Sequence, residues 1–157
     1  MPEDEWTQEA RDEWRQLGFH SLHDDPAKMW RLTGSREGLW RFAQLLRRYV
    51  ANPSNSTLSE HEHHNPYGSL EIMTWGSAGL DGHSIHGTLV ELERLARLVE
   101  TALSGATPGS RVRIREDYAP DAEYALVLEV QEDGFDPASA DDAISPEGSS
   151  WSESEER

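Results

Sequence analysis

Histidines are the only side chains in this sequence that are grouped as a chemical site would require. His61 and His63 lie two residues apart in one segment, and His83 and His86 flank a later predicted strand. On a strand, His61 and His63 would point to the same face, because successive side chains alternate. Imidazole is a common ligand of transition metals, so the pair could share one ion with His83, with His86 or with a carboxylate. These four histidines are the candidate metal ligands.

Two other interpretations of these histidines stay open, as solvated surface side chains or as contacts to a protein partner. The sequence has no His-Glu-x-x-His helix motif, and it has no cysteine, which excludes a zinc site built on thiolates. A partner contact would also use the polar and aromatic neighbours of the pair. The candidate partner-binding residues are Glu60, His61, Glu62, His63, His64 and Tyr67.

Other signatures of catalysis are absent from the sequence. Gly76, Gly79 and Gly82 follow one predicted strand and lead to another rather than to a helix, so they do not indicate a phosphate-binding loop. No Gly-x-Ser-x-Gly elbow is present, and the lack of cysteine excludes a thiol nucleophile. We therefore predict no catalytic residues and no cofactor, and expect that the protein is not an enzyme.

An internal repeat must position the histidines. At a constant offset of 53 residues, the segment beginning at Trp30 aligns with the segment beginning at His83. Gly34 and Gly87 match at the end of a strand in each unit, and a helix with one apolar face follows. Two such units are too few for a solenoid, which predicts one pseudo-symmetric domain. The repeats span about 29–76 and 82–130.

Each repeat is predicted to read strand, helix, strand, strand. Apolar residues in both helices recur at the three- and four-residue spacing of one buried face. Thr88 with Glu91 predicts a capping box on the second helix, whereas Ser35 caps the first helix without one. The fold class is α+β, with one mostly antiparallel sheet of about six strands and both helices on one face. The tryptophans predicted to lie in its core are Trp30, Trp40 and Trp75.

The two ends of the chain are predicted to differ from this duplicated domain, which occupies residues 29–137. Residues 1–28 are expected to form an amphipathic helix over about 5–17, ended near Gly18, and a loop. Residues 138–157 are expected to form a disordered acidic tail, because they hold too few large apolar side chains to offset the entropy of ordering.

Charge narrows the classes of partner. The chain has 30 acidic and 14 basic residues and a formal net charge of −16, half of it in residues 131–157. This surplus repels phosphate backbones and anionic lipids, so we expect neither nucleic acid nor membrane as a partner. The N-terminus is acidic and no long apolar run occurs, which predicts a cytoplasmic protein. An acidic domain is suited to a basic protein partner, since complementary charge speeds encounter.

One part of the sequence also resembles a known family. Its segments are Leu32-Thr33-Gly34-Ser35-Arg36-Glu37-Gly38-Leu39 before an apolar helix, Glu60-His61-Glu62-His63, and Leu70-Glu71-Ile72. Over about residues 29–76 they resemble the bacterial immunity protein 32 family. The resemblance implies a small α+β domain that neutralises a polymorphic toxin by binding it. The second repeat has Arg113-Ile114-Arg115-Glu116 where the histidines would be, and Gly134-Phe135-Asp136-Pro137 is similar to the end of uncharacterised bacterial proteins, which implies no function.

The function expected from these observations is protein binding without catalysis. The specific expectation is an immunity protein that blocks a basic toxin domain by direct contact, through a sheet face that the helices leave uncovered. An accessory interaction protein is the first alternative. The second alternative is a metal-dependent enzyme that uses His61, His63 and either His83 or His86.

Overall fold

The computed structural model describes residues 2–144, with side chains from Trp6 onward. The helices are α1 (Pro2–Leu17), α2 (Arg36–Ala51) and α3 (Leu89–Ser104), with 3₁₀ helices at Pro53–Ser56 and Pro137–Ala140. The strands are β1 (His20–Asp24), β2 (Met29–Ser35), β3 (His61–His64), β4 (Leu70–Thr74), β5 (Gly79–Leu80), β6 (Ile85–Gly87), β7 (Arg111–Ile114) and β8 (Ala125–Gln131). Within residues 2–144, none of the helices combines the length and apolar character needed to cross a bilayer.

The strands form two sheets of four. Sheet A has the order β1-β2-β8-β7, and sheet B has the order β3-β4-β6-β5. In each sheet the two central strands are parallel, and each outer strand is antiparallel to its neighbour. The α+β class is confirmed, but the prediction of a single, mostly antiparallel sheet of about six strands is wrong.

The two repeats exchange strands, which explains the error. Strand β2 opens the first repeat and pairs with β8, which closes the second; β4 closes the first repeat and pairs with β6, which opens the second. Each sheet therefore takes strands from both repeats. Apolar alternation marks a segment as a strand, but it carries no information about which distant strand lies beside it.

Two short strands lie in segments that were predicted to be loops. His20–Asp24 forms β1, which pairs antiparallel with β2 along its full length. The glycine-rich connection between the repeats contains the two-residue strand β5, paired with β6. Both are outer strands of a sheet and lack a clean alternation of apolar residues, so the sequence pattern that identifies strands is missing there.

Helices α2 and α3 pack against each other and bury the apolar faces predicted from their spacing. The predicted capping box of Thr88 and Glu91 is present at the start of α3, and the Ser35 hydroxyl accepts a hydrogen bond from the Gly38 amide of α2. A Cβ on Gly38 would overlap the carbonyl oxygen of Gly18, so this glycine lets the chain between α1 and β1 approach α2. The buried helix residues are Gly38, Leu39, Phe42, Ala43, Leu45, Leu46 and Tyr49 on α2 and Leu92, Leu95, Ala96, Val99 and Leu103 on α3.

One hydrophobic core is shared by the helix pair and the inner faces of both sheets. The inner-face residues of this core include Trp30, Leu32, Leu126, Leu128 and Val130 in sheet A and Leu70, Ile72, Leu80 and Ile85 in sheet B. Trp30 is buried and Trp40 packs partly buried against the core, as predicted. Trp75 is 45% exposed, so the prediction that it lies in the core is wrong.

The chain after Pro137 does not become disordered where the sequence predicted. The C-terminal segment (residues 137–144) begins with a 3₁₀ helix and packs on α1, where Ala138 and Ile144 form a small cluster with Ala10 and Trp14. Two apolar residues are enough to order this segment because they pack against apolar side chains already present on α1. The rest of the predicted tail, residues 145–157, lies outside the described residues.

Candidate functional site

The two sheets each have an outer face, turned away from the shared core. In sheet B this face follows from the strand register, in which His61 lies beside Met73 and Met73 beside His86. His63 lies beside Glu71 in the next row. Outer face B is defined by these side chains and the residue that follows β4: His61, His63, Glu71, Met73, Trp75 and His86.

Outer face B presents large side chains to solvent. Trp75 is 45% exposed, and His61 and His63 are also exposed. Met73 and His86 are half-buried in the row that crosses the sheet. An aromatic ring, a thioether and three imidazoles therefore share one surface.

Hydrogen bonds fix the orientation of the two β3 histidines. Nδ1 of His61 lies 2.9 Å from the carbonyl oxygen of Ser59, and Nδ1 of His63 lies 2.9 Å from that of Gly68. A carbonyl only accepts, so Nδ1 must be the protonated nitrogen of each neutral ring. Each Nε2 is then left as an acceptor. The two rings meet edge to face, with centroids 5.0 Å apart.

The four predicted metal ligands do not come together. The ring of His86 lies over Gly79 of β5, where a Cβ would overlap it, and so leans away from β3. His83 is exposed in the turn between β5 and β6, and its backbone amide donates to Asp81. Among residues 2–144, no group of three or more histidine and carboxylate side chains is placed to hold a metal ion. His61 and His63 share their face with Glu71 and His86, but these side chains are not placed to hold one ion.

The six predicted partner-binding residues divide between different surfaces. Only His61 and His63 belong to outer face B. Glu62 and His64 point to the opposite side of β3, where burial lowers the pKa of His64 although Oε1 of Glu62 lies 3.3 Å from its Nε2. Tyr67 leaves the sheet and donates a hydrogen bond of 2.5 Å to the Asp141 carboxylate. Glu60 is exposed just before β3.

Three residues of outer face B were missed by the sequence prediction: Glu71, Met73 and Trp75. The signal for all three was present in β4, because Leu70, Ile72 and Thr74 are buried and the residues between and after them must face outward. His86 was predicted only as a metal ligand, and its position on this face had no such signal, since it depends on the parallel pairing of β6 with β4.

An acidic cleft adjoins outer face B at His86. It has a volume of about 510 Å³, and among its lining residues there is no lysine or arginine. Tyr118 forms part of its wall and donates a hydrogen bond of 2.6 Å to the His86 carbonyl, and burial raises the pKa of this phenol. The carboxylates that line the cleft are Asp81, Glu91, Asp121 and Glu123.

Outer face A, on the other sheet, has the opposite character. It is defined by His20, Leu22, Asp24, Arg31, Thr33, Arg111, Arg113, Val127 and Glu129, which alternate with the core residues of their strands. Arg31 lies 2.5 Å from the Asp24 carboxylate and 3.9 Å from that of Glu129, which also pairs with Arg111 at 3.3 Å. The charges of Asp24, Arg31, Arg111 and Glu129 are therefore paired within the sheet, and Arg113 pairs with Glu116 just after β7.

One end of outer face A is also covered. The ring of Trp14 on α1 lies against His20, with centroids 4.4 Å apart. The Trp14 indole donates a hydrogen bond of 2.9 Å to Asp141, which also accepts from Tyr67. Asp141 is only 6% exposed, so this carboxylate joins α1, the β3–β4 turn and the C-terminal segment.

A second cluster, around Tyr124, has the residue types of a proton-transfer site. The Tyr124 hydroxyl lies 3.0 Å from Nε2 of His23, whose ring stacks on the phenol, and it donates a hydrogen bond to Asp25. The bond to the Asp25 carboxylate is the main cause that raises the pKa of Tyr124 to about 12. A phenol that holds its proton this firmly is a poor nucleophile or base. Since the Tyr124 amide also donates to the Leu80 carbonyl, the cluster joins the two sheets.

Comparison with known proteins adds no assignment: no family model, curated protein or solved structure matches the chain.

Proposed function

We propose that this chain is a non-catalytic protein-binding domain and that outer face B is its binding surface. The observation that carries the proposal is the exposure of Trp75, at the end of β4, on the same sheet face as Met73, His61 and His63. Tryptophan is enriched among the residues that dominate binding energy at protein interfaces, and methionine adapts to irregular partner surfaces. A rigid sheet also limits the ordering cost of binding.

The partner that fits this surface is a basic protein. Residues 1–144 contain 26 acidic and 13 basic residues, so the charge surplus persists without the last part of the chain. The acidic cleft with Asp81 and Asp121 adjoins the half-buried ring of His86, whereas Arg31 and Arg111 of outer face A are already paired with carboxylates. Arginine or lysine side chains of a partner seated on outer face B would lie beside these carboxylates, which would speed encounter and reject acidic proteins.

The specific role we propose is immunity: the domain occludes a basic toxin in the bacterial cytoplasm. The resemblance of residues 29–76 to the immunity protein 32 family supports it, as do the acidic charge and the exposed aromatic surface of outer face B. Occlusion needs contact area and charge complementarity and no reacting group. Nuclease domains are a fitting target because a protein that holds nucleic acid must itself be basic.

The test uses the protein encoded by the gene beside that of this chain, which the proposal requires to be a toxin. We expect the purified chain to bind that protein and to protect cells that express it. Trp75→Ala should weaken binding by about thirtyfold or more, since truncation of a central aromatic residue costs about 2 kcal/mol or more. Leu22→Ala is the matched control, because Leu22 is a comparably exposed apolar side chain, at 41%, on outer face A.

Three results are distinguishable. Binding with protection, both lost in Trp75→Ala and kept in Leu22→Ala, supports the whole proposal. Binding at outer face B without protection contradicts immunity and leaves an accessory interaction protein. Equal affinity of Trp75→Ala and Leu22→Ala contradicts the binding surface itself.

A further inference from the structure

The exposed side of α2 forms a basic groove in an acidic protein. Depressions on this side meet at Arg41, and the largest has a volume of about 780 Å³. Arg36, Trp40 and Gln44 line this largest depression, and so do two carboxylates, Glu37 and Asp133. Arg48 lines an adjoining depression with Gln44. The basic groove is defined by three arginines and the two residues between them: Arg36, Trp40, Arg41, Gln44 and Arg48.

The three arginines of the basic groove form no ion pair with the described residues. No carboxylate among the described residues lies within ion-pair distance of Arg36, Arg41 or Arg48, whereas the nearby Arg47 is held by Glu100 of α3. Arg41 donates one hydrogen bond of 3.0 Å to the Gln16 carbonyl at the end of α1. The groove thus offers three guanidinium groups beside a half-buried indole.

The chain itself contains a complementary segment. The C-terminal tail (residues 145–157) holds four glutamates, Glu147, Glu153, Glu155 and Glu156, together with Trp151 and a single basic residue, Arg157. A carboxylate can accept two parallel hydrogen bonds from a guanidinium, and an indole can stack on one. Glutamates and a tryptophan are therefore suited to a groove of arginines and a tryptophan.

The tail also starts close enough to reach the basic groove. The carbonyl of Ile144 accepts a hydrogen bond of 3.1 Å from Arg11, and α1 runs from there to Gln16, beside Arg41. The rise of α1 from Arg11 to Gln16 is about 8 Å, and the rise of α2 from Arg36 to Arg48 is about 18 Å. The 13 residues after Ile144 extend to about 45 Å at most and average about 20 Å as a flexible chain.

We propose that the C-terminal tail docks in the basic groove of its own chain. Attachment at Ile144 makes the encounter intramolecular, so a tail with weak intrinsic affinity still reaches a high effective concentration at the groove. Docking neutralises the one basic surface of α2 and leaves a more uniformly acidic molecule. This contact is independent of outer face B and of any partner bound there.

The absence of cysteine makes a direct test possible. Ser154→Cys in the full-length chain provides a single thiol for a nitroxide label near three of the tail glutamates. We expect the label to cause a loss of amide NMR intensity in residues 36–48 that exceeds the loss in residues 89–104 of α3. NaCl at about 1 M, where the screening length falls to about 3 Å, should restore the intensity.

Variants and a mixing experiment separate the possible occupants. Arg36→Glu with Arg48→Glu should abolish the loss in α2, while Arg97→Glu, an exposed arginine of α3, should leave it unchanged. If the double variant does not fold, the salt titration of the labelled parent chain tests the same contact. Loss of intensity in an isotope-labelled chain mixed with nitroxide-bearing unlabelled chain would show contact between copies and overturn the proposal. A loss spread evenly over the surface, or one insensitive to salt, would overturn it as well.

Discussion

Outer faces A and B are built by equivalent hairpins of the two repeats, yet they carry different chemistry. In sheet A, Arg111 lies beside Glu129 and the two form an ion pair. In sheet B, the corresponding hairpin places His61 beside Met73, a pair without charge complementarity, and the nearest carboxylate to His63, that of Glu71, lies 3.9 Å from its Nδ1. The same topology therefore yields one face whose polar groups satisfy each other and one whose side chains remain available to a partner.

The cover on outer face A reinforces this difference. Trp14 and Asp141 enclose His20 at one end of that face. Arg15 donates two hydrogen bonds to Asp136, at 2.9 and 3.1 Å, which hold the pKa of that carboxyl below its ordinary value and fasten the C-terminal segment to α1. Outer face A thus contributes to stability, and outer face B is free to contribute to binding.

Removal of Trp14, which covers one end of outer face A, should reduce the stability of the fold more than any other change considered. Trp14→Ala removes a buried indole and its hydrogen bond to Asp141, so we expect the free energy of unfolding to fall by about 3–5 kcal/mol. Amides of residues 137–144 should also lose protection from hydrogen exchange. Trp6→Ala, at a 48% exposed position of the same helix, is the control and should cost less than about 1 kcal/mol. Equal losses in the two variants would show that the cover does not stabilise the fold.

Disruption of the ion pairs on outer face A should have a smaller effect. Arg31→Ala leaves Asp24 partly buried without its partner, and we expect denaturant unfolding to show a loss of about 1 kcal/mol. Arg113→Ala is matched in chemistry and sheet, but its partner Glu116 is exposed, so a loss below about 0.5 kcal/mol is expected. A larger loss for Arg113→Ala would reverse this ranking.

The buried histidine of outer face A should make stability depend on pH. Burial lowers the pKa of His20 from its ordinary value near 6.5; Asp141 and Asp142 oppose the shift and Arg31 adds to it. The unfolded chain therefore binds more protons than the folded chain just below pH 6.5, so stability should fall as pH falls from 7 to 5. Each pKa unit by which folding lowers the pKa of His20 changes the free energy of unfolding by at most about 1.4 kcal/mol.

Two histidine variants test this acid-sensitive contribution. His20→Gln should reduce the slope of unfolding free energy against pH between 7 and 5. His64→Gln should reduce that slope separately, because burial also lowers the pKa of His64. A slope that His20→Gln leaves unchanged would contradict the assignment to outer face A.

Changes on outer face B should affect stability least. Trp75→Ala removes a side chain that is already 45% exposed, and we expect thermal and denaturant unfolding to change by less than about 0.5 kcal/mol. Val90→Ala, at a 75% exposed position of α3, is the matched control. A loss above about 2 kcal/mol for Trp75→Ala would mean that this ring holds the fold together.

The parts of the fold that depend on neighbouring residues were predictable from the sequence. Spacing of apolar residues identified both long helices, Thr88 and Glu91 identified a capping box, and Gly18, with φ of 97°, ends α1 as expected. Pairing between distant strands was not predictable. Strands β2 and β4 of the first repeat each pair with a strand of the second repeat, and no local sequence pattern indicates this pairing. The two-sheet architecture therefore appears only in three dimensions.

The candidate site was predictable only along each strand. His61 and His63 share a face because of simple alternation, and the same rule applied to β4 would have placed Met73 and Trp75 outside. The sequence prediction instead treated Trp75 as core on the basis of its size. His86 lies on this face because β6 pairs with β4, whereas His64 and Tyr67 point away from it. The residues next to them in the sequence indicate none of these positions.

The proposed binding surface is tested directly by hydrogen exchange of the full-length chain, with and without the protein that the neighbouring gene encodes. We expect slower exchange in residues 61–64, 70–75 and 85–87, with residues 111–114 and 125–131 of sheet A unchanged. Protection confined to sheet A or to α2, with outer face B unaffected, would contradict it.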